Sequence, residues 1–418
     1  MNQHETLFLE ALKASLTNTT VNWTEPISSE IWQSVFALSE AQKVLPLIFN
    51  AVSACPAADS MPPEIFDCLK VRTKSMLLGQ VQKTAEFLQL YSQLSIAGIR
   101  PLLVKGAICR ELYPIPELRI STDEDLLVSP EEFAKAVDVL QKCGYSTSQE
   151  NIDVDNDDEI GFTKVNGASY IELHKYLFSI DSDAYGRFNR YFSACFENAV
   201  SIHIQGTRID TLNPSMHLFY LVCHAMKHFL HSGFGLRQVC DISMFANAYG
   251  KEIDWQTLLT QCREIRADKF AAALFKIGKK YLTFDFEMAH YLGQWQEIKI
   301  DEQELLLELL QSGIYGGSSM SRRHSAKMTL EAASAGKSGK NPETTMLRMA
   351  FPPAKDLERR YPYLNKKPYL LPAAWFDRLI TYHREINTLQ DNTVTDAVKI
   401  GKHRIELLKK YGMIEGKK

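Results

Sequence analysis

The sequence predicts an α+β protein in which a small mixed β-sheet unit is flanked by N- and C-terminal helical regions. Apolar residues recur at steps of three and four from Thr6 to about Ala97, and again from Pro214 to about Leu282, as they do in amphipathic helices. Between these regions the apolar runs are short and bounded by Gly, Pro and Asp, which is typical of strands and turns. A chain of 418 residues is too long for one ordinary core, so two or three domains are expected.

The first predicted region, residues 1–87, is helical, and residues 88–212 form the mixed unit. In that unit, strands are expected in IRPLLVKG and STDEDLLV, with a short helix, AICRELY, between them. PEEFAKAVDVLQKCG then predicts a helix with Ser129 as its cap and Pro130 at its first position. The alternating stretch GFTKVNGASYIELH contains Asn166-Gly167, a strong hairpin signal, which predicts strands at about 160–165 and 168–174.

Helices return in residues 213–312, and another is expected near 302–312. Residues 313–345 are rich in Gly, Ser and Lys and are predicted to form a flexible loop. Residues 346–418 combine a Pro- and aromatic-rich docking segment with helices. The basic terminal stretch from Lys399 is interpreted as a solvated amphipathic helix, with contact to RNA or anionic lipid as the alternative.

Composition narrows the classes of partner. The chain has 45% hydrophobic and 23% charged residues, as expected of a folded soluble protein, and its net charge of −3 creates no general basic field. Long nucleic acid is therefore not expected as a partner, although a local basic patch could hold phosphate. The start of the chain has no signal-peptide layout, and nowhere do eighteen apolar residues run uninterrupted, so we expect a cytoplasmic protein without a membrane span. The eight cysteines include no Cys-x-x-Cys pair and are expected to be reduced.

The acidic cluster in STDEDLLV is the first candidate site. In a strand, Asp123 and Asp125 share one face while Glu124 points to the other. Paired carboxylates commonly bind Mg²⁺, and Mn²⁺ could replace it. The alternative is a solvated acidic turn.

The surrounding residues favour the metal site. Lys105-Gly106-Ala107 ends an apolar strand and opens a helix, an arrangement that presents backbone N–H groups and a positive charge to phosphate. Glu172 lies on a later predicted strand and could supply a third acid, with His174 on the same side; alternatively, YIELH is a strand with an exposed polar face. Together these groups predict metal-assisted phosphoryl transfer.

This order of motifs resembles the polymerase-β-like nucleotidyltransferase superfamily. LLVKGAICRELYP, LRISTDEDLLV, YIELH, FPPAKDLERRYPYL and LLP look more narrowly like a poorly characterised bacterial nucleotidyltransferase family, over roughly residues 40–385. The resemblance implies that Gly106 and Ala107 hold phosphate and that Asp123 and Asp125 bind the metal, with Glu172 as the third catalytic and metal-binding acid. The chain departs from the superfamily pattern at Ala107, where Ser or Gly is usual, and at Glu124, where an apolar residue is usual. Glu124 indicates either that its face of the strand is not deeply buried or that the active pair lies elsewhere.

A second group of polar residues lies in MHLFYLVCHAMKHFLH. His217, His224, His228 and His231 can share one helical stripe. A zinc site is disfavoured because four ligands on one straight helix span too great a length to close a tetrahedron, and HAMKH lacks the protease glutamate.

A wet helix facing a cleft is the preferred interpretation. Lys227 and His228, with Arg237 on the following helix, would then bind the phosphates or base of the nucleotide. Arg237 and Asp241 stand four residues apart and could equally form a structural helix pair.

Two further motifs are set aside. DVDNDDEIGFTK begins like a calcium loop but has Asp158 where glycine is needed and Lys164 where the bidentate glutamate belongs. SAGKSGKNP lacks the earlier glycine of a phosphate-binding P-loop.

The leading functional hypothesis is a Mg²⁺-dependent nucleotidyltransferase that moves a nucleoside monophosphate from an NTP to an acceptor hydroxyl of a small molecule, sugar or protein. A non-catalytic nucleotide-binding or regulatory relative, motivated by Ala107 and Glu124, is one alternative. A metal-dependent phosphohydrolase that uses the histidine stripe is the other.

Overall fold

The computed structural model describes residues 1–312 except 150, 151 and 232, short stretches between 326 and 377, and residues 394–414. The predicted loop at 313–345 lies mostly outside this part of the chain. Within the described residues, no helix is both long and apolar enough to cross a membrane.

The N-terminal region consists of helices, as predicted. They are α1 (Gln3–Leu16), α2 (Ser29–Ala41), α3 (Leu45–Val52) and α4 (Pro63–Ile96). The first begins with a capping box: the Asn2 side chain accepts the Glu5 N–H and the Glu5 carboxylate accepts the Asn2 N–H. The last is long and carries polar residues on its buried face, including Gln80 and Thr84. The Thr84 hydroxyl donates to the Gln80 carbonyl oxygen within the helix, whereas the Gln80 side chain accepts the N–H of Ser121 in the sheet unit.

The central unit is a mixed sheet of seven described strands in the order β3-β4-β5-β2-β1-β7-β6. The strands are β1 (Leu102–Val104), β2 (Glu124–Leu127), β3 (Tyr145–Ser146), β4 (Glu159–Lys164), β5 (Tyr170–His174), β6 (Val200–Ile204) and β7 (Thr207–Thr211). Every residue of β1 and β2 is buried, as expected for central strands covered on both faces. The predicted α+β class is confirmed.

Two short predictions in this unit can be compared directly with the structure. β4 and β5 pair antiparallel across the turn at Asn166, which adopts a left-handed conformation with φ of 56°, so the hairpin is confirmed. α5 (Gly106–Arg110) joins β1 to the segment before β2, and α6 (Pro130–Lys142) starts at the predicted proline. Ser129 occupies the N-cap position of α6, as predicted, but its side chain accepts no N–H of the first turn; its hydroxyl donates instead to the Glu132 carboxylate.

Further helices follow the sheet unit along the chain. They are α7 (Pro214–His231), α8 (Leu236–Tyr249), α9 (Trp255–Glu264), α10 (Asp268–Tyr281), α11 (Gly293–Gln296) and α12 (Gln303–Ser312), and α13 (Val394–Lys410) lies near the end of the chain. Most of α7 is buried, so it is a core helix rather than an amphipathic surface helix. Its polar side chains therefore need partners within the protein.

Candidate active site

A cavity of about 320 Å³ opens between the β2–β5 part of the sheet and helices α7 and α8. Its polar lining comes from widely separated segments. The charged and histidine side chains that line it are Lys43, Lys105, Arg119, Asp123, Asp125, Glu159, Glu172, His174, His224, Lys227, His228, Arg237 and Asp241. Of the residues predicted to form the site, only Ala107 is absent from this lining.

Sheet register brings the predicted acids together. β2 and β5 run parallel, and Asp125 is directly paired with Glu172 across the two strands. Because paired residues point to the same face of a sheet, both carboxylates enter the cavity. Asp123 precedes β2 and is partly exposed at the same cavity. Asp125 and Glu172, which are 47 residues apart in the sequence, thus become neighbours in the sheet.

One group of side chains has the composition and spacing of a metal site. Ligand atoms of Asp125, Glu172 and His174 all lie within 4.8 Å of one another. His174 Nε2 is 3.5 Å from Asp125 Oδ1 and 3.8 Å from Glu172 Oε2. Neither nitrogen of this buried ring has a hydrogen-bond partner of good geometry among the described residues, whereas Asp125 Oδ2 is engaged by Lys105 Nζ at 2.8 Å. Two carboxylates and one imidazole fit Mn²⁺ as well as Mg²⁺.

The two carboxyl groups have opposite electrostatic environments. Burial alone would raise the pKa of Asp125, but neighbouring Lys105 and His174 hold it well below its usual range. Burial raises the pKa of Glu172 to about 9, and the negative charges of Asp125 and Asp123 add to this effect. A divergence of this kind is typical of functional sites.

Lys105 serves as the counter-ion of the acidic pair. Its Nζ lies 2.8 Å from Asp125 Oδ2 and 3.7 Å from Asp123 Oδ2. Burial would lower the pKa of Lys105, but these two carboxylates raise it well above its usual range. Its backbone is left-handed, with φ of 63°, and its N–H donates to His217 Nε2 at 3.1 Å. The charge predicted to face phosphate is therefore neutralised by carboxylates in this arrangement.

Glu124 lies on the opposite face of β2 and is buried, contrary to the expectation of a shallow face. It accepts hydrogen bonds from the Ala107 N–H at 2.7 Å, Arg110 Nη2 at 2.9 Å and Ser121 Oγ at 3.1 Å. A charged residue is tolerated there because Arg110 neutralises it within the core.

This hydrogen-bond network explains why a glycine stands at position 106 and why the Ala107 N–H is occupied. A Cβ on Gly106 would lie only 2.0 Å from Glu124 Oε2, and the Gly106 backbone has φ of +37°. The Ala107 N–H, predicted to bind phosphate, is already bonded to Glu124. Gly106 therefore permits the close approach of Glu124 to the turn.

The histidine stripe divides into separate environments. His217 lies in the core and its Nδ1 is 3.3 Å from Thr211 Oγ1, whereas His231 Nε2 lies 2.9 Å from Tyr185 Oη. His224 and His228 reach the cavity, with their Nε2 atoms 3.0 Å apart. Burial lowers the pKa of both, so they are neutral at pH 7. The helix is thus more buried than the predicted wet helix, and the metal-capable group found among the described residues contains none of the four.

The contacts of Arg237 and Asp241 differ from those of the predicted helix pair. Arg237 Nη1 donates to the Ile120 carbonyl oxygen and the side chain lines the cavity. Asp241 pairs instead with Arg119, which donates from Nε at 2.7 Å and from Nη2 at 2.6 Å, and with Tyr113 Oη at 2.8 Å. The helix pair is therefore replaced by a bidentate ion pair that joins α8 to the segment before β2.

Lys227 lies at another part of the lining. Its Nζ is 6.0 Å from the centre of the Tyr185 ring, and it adds positive potential beside His224 and His228. It remains available to a bound anion.

The model of a family described as uncharacterised nucleotidyltransferases matches residues 28–283, more than half of the chain. The chain belongs to this family. Among solved structures, it is similar to an antigenic nucleotidyltransferase-like protein from Paracoccidioides brasiliensis, with 13% identity and a TM-score of 0.28 over 52% of this chain and 97% of that chain. No curated protein matches it.

Several cavity residues of this nucleotidyltransferase had no recognisable sequence signal. They include Lys43, Arg119, Glu159, Tyr170 and Tyr220. The partner of Arg119 is 122 positions away, and no local periodicity connects residues so far apart. The Arg119 position could have been suspected only as a charge inside an otherwise apolar stretch.

Proposed function

We propose that this nucleotidyltransferase moves a nucleoside monophosphate from an NTP to an acceptor hydroxyl and releases pyrophosphate. The observation that carries the proposal is the direct pairing of Asp125 with Glu172, with His174 beside them, inside a cavity that is also lined by cations. The family fixes the class of enzyme, and these contacts support the choice of catalytic residues.

Asp123, Asp125 and Glu172 are the proposed metal-binding acids, with His174 as an added ligand. The fit rests on their donor chemistry and on the two buried ring nitrogens of His174, which lack a well-aligned hydrogen-bond partner among the described residues. A bound divalent cation, Mg²⁺ or Mn²⁺, would supply charge neutralisation for the phosphates.

Glu172 is the proposed proton acceptor. Burial and the negative charges of Asp125 and Asp123 raise its pKa to about 9, so without a bound cation the carboxyl is largely protonated near pH 7, although the positive charge of Lys105 acts in the opposite direction. A bound divalent cation would favour the ionised carboxylate, which can accept the proton of the attacking hydroxyl, while Asp125, with its lowered pKa, stays ionised. Unlike roles for two adjacent acids follow from their unlike surroundings.

The remaining lining residues would bind and orient the substrates. Lys227, His228 and Arg237 are proposed to contact the nucleotide, and the burial of Asp125 keeps that carboxylate away from bulk water. A cavity of about 320 Å³ is at the small end of the range for ligand sites, so we propose that only the reactive end of the acceptor enters it.

Replacement of the acids tests the proposal. The full-length protein is incubated with Mg²⁺ and each of the four α-labelled NTPs, with and without cell extract, and label is followed on the protein itself, other proteins, RNA and small molecules. Asp123→Asn with Asp125→Asn is expected to reduce transfer at least 100-fold, because charge neutralisation of the phosphates is the main catalytic contribution.

Asp155→Asn is the matched control, since Asp155 lies in an exposed acidic turn away from the cavity lining. It is expected to transfer label at the wild-type rate. Full transfer by the Asp123/Asp125 double variant would refute the proposed function.

A further inference from the structure

Three cations from separate segments converge on residues 120–122, directly before Asp123. Lys83 Nζ donates to the Ser121 carbonyl oxygen at 3.1 Å, and Lys43 Nζ donates to Thr122 Oγ1 at 3.4 Å. Arg237 Nη1 donates to the Ile120 carbonyl oxygen. Lys43 follows α2, Lys83 lies on α4 and Arg237 lies on α8, so the convergence is a product of the tertiary structure.

Two buried glutamines hold these segments in place. Gln42 Oε1 accepts the Leu236 N–H at 2.8 Å, which places Lys43 and Arg237, the next residues in each segment, side by side. Gln80 Oε1 accepts the Ser121 N–H at 2.8 Å, one helical turn before Lys83. The positions of the cations are therefore fixed by hydrogen bonds in the core rather than by flexible surface contacts.

No carboxylate among the described residues pairs directly with this cluster, although the negative charge of Asp123 acts on all three cations. Within the described part of the chain, none of the three cations has a carboxylate oxygen within 4.0 Å, whereas Arg110, Arg119 and Lys105 are each paired. Burial lowers the pKa of Lys43, and so does the charge of nearby Arg237. Like charges held together in a partly buried position are costly unless an anion joins them.

Two buried polar atoms at the same place also lack partners among the described residues. They are Arg237 Nε, a donor, and Gln238 Oε1, an acceptor. Both side chains line the cavity. An unused guanidinium N–H beside two lysines matches the oxygens of a phosphate group.

We propose that Lys43 and Arg237, supported by Lys83, form an anion subsite for the two terminal phosphates of the NTP, the part released as pyrophosphate. This inference rests on the proposed function. When the acceptor oxygen bonds to the α-phosphorus, the bond from that phosphorus to the bridging oxygen breaks, and its electron pair leaves with the pyrophosphate. The acceptor proton passes to Glu172, and the subsite stabilises the charge gained by the leaving group.

The subsite also explains how phosphate could bind although the phosphate-binding groups predicted at Lys105 and Ala107 are occupied. Those groups are engaged by the carboxylates of Asp125 and Glu124. The cations that pair with no described carboxylate are instead contributed by the N-terminal helices and α8, on either side of the segment that leads to Asp123.

Calorimetric titration with inorganic tripolyphosphate, without added metal, tests the subsite in the full-length protein. Lys43→Met and Arg237→Gln are each expected to weaken binding at least tenfold. The matched control is Lys74→Met, an exposed lysine on the same helix as Lys83, which is expected to keep wild-type affinity. Thermal unfolding of each variant without anion should stay near the wild-type temperature, because removal of one charge also relieves repulsion.

Unchanged tripolyphosphate affinity in both variants, or no binding by the wild-type protein, would overturn the subsite even if the Asp123/Asp125 double variant loses transfer. Conversely, full transfer by that double variant would refute the proposed function without altering the tripolyphosphate comparison. If a variant loses affinity and also unfolds, the titration is repeated with Arg237→Lys. A folded Arg237→Lys protein with partly recovered affinity would support the subsite, and a folded one without recovery would contradict it.

Discussion

The replacement Gly106→Ala tests whether the buried Glu124 network fixes the turn that carries Lys105. The added Cβ would lie 2.0 Å from Glu124 Oε2 and 2.9 Å from Glu124 Cδ, so the carboxylate would have to move. Its hydrogen bonds with the Ala107 N–H, Arg110 and Ser121 would then be distorted.

The size of the effect follows from these contacts. Disturbing a buried ion pair costs about 3–5 kcal/mol, and a left-handed backbone adds about 1–2 kcal/mol for a residue with a Cβ. Since the carboxylate can keep part of its bonding after a shift, we expect a loss of about 3–5 kcal/mol in the free energy of unfolding. Urea unfolding followed by tryptophan fluorescence and by circular dichroism measures it.

A matched control and a double-mutant cycle make the test specific. Gly79 lies within α4, and a Cβ added there would meet no described atom within 4 Å apart from its chain neighbours and the backbone of its own helix, so Gly79→Ala should stabilise the protein by about 0.5–1 kcal/mol. In a Glu124→Ala background, Gly106→Ala should cost only its backbone strain, about 1–2 kcal/mol. A Gly106→Ala effect below about 1 kcal/mol, or an equal effect in both backgrounds, would refute the reasoning.

Two other predictions concern groups that contact the same turn. Lys105→Met should raise the affinity for Mg²⁺ in the absence of nucleotide at least tenfold, because the Lys105 ammonium lies 2.8 Å from Asp125 Oδ2 and repels the cation. Calorimetry measures the affinity, and Lys227→Met is the control that should leave it unchanged. A wild-type Mg²⁺ affinity in both variants would contradict the prediction. Burial lowers the pKa of His217 from about 6.5 to about 3, so the folded state binds fewer protons than the unfolded state and its stability falls as the pH drops from 6.5 towards 3. In His217→Gln the free energy of unfolding, measured with urea, should fall less steeply between pH 7 and pH 5, by up to about 1.4 kcal/mol per pH unit, and parallel profiles for the two proteins would exclude this contribution.

The sequence determined the parts of the protein that depend on short-range patterns. Helical periodicity located the flanking helices, and Asn166-Gly167 placed the hairpin that was found. The alternation of a strand also placed Asp125 and Glu124 on opposite faces, as the structure has them. These features depend on residues only a few positions apart, whose geometry is set by the local backbone.

The roles of individual charges depended on the tertiary structure. The sequence could not show that Lys105 would be neutralised by Asp125, because its side chain could equally have faced phosphate. From the sequence alone, Glu124 indicates either a shallow face of its strand or an active pair elsewhere, yet Arg110, fourteen positions away, compensates its charge in the core. A buried charge is tolerated only when its partner is in place, and the partner is chosen by packing rather than by spacing.

The same limit applies to the contacts that assemble the cavity. The Gln42–Leu236 hydrogen bond joins residues 194 positions apart, and the Arg119–Asp241 pair joins residues 122 apart. Local periodicity and spacing carry no information at that range. The sequence by itself therefore determined which acids could form a site, whereas the packing of α4, α7 and α8 against the sheet decided which cations neutralise those acids and which remain for an anion.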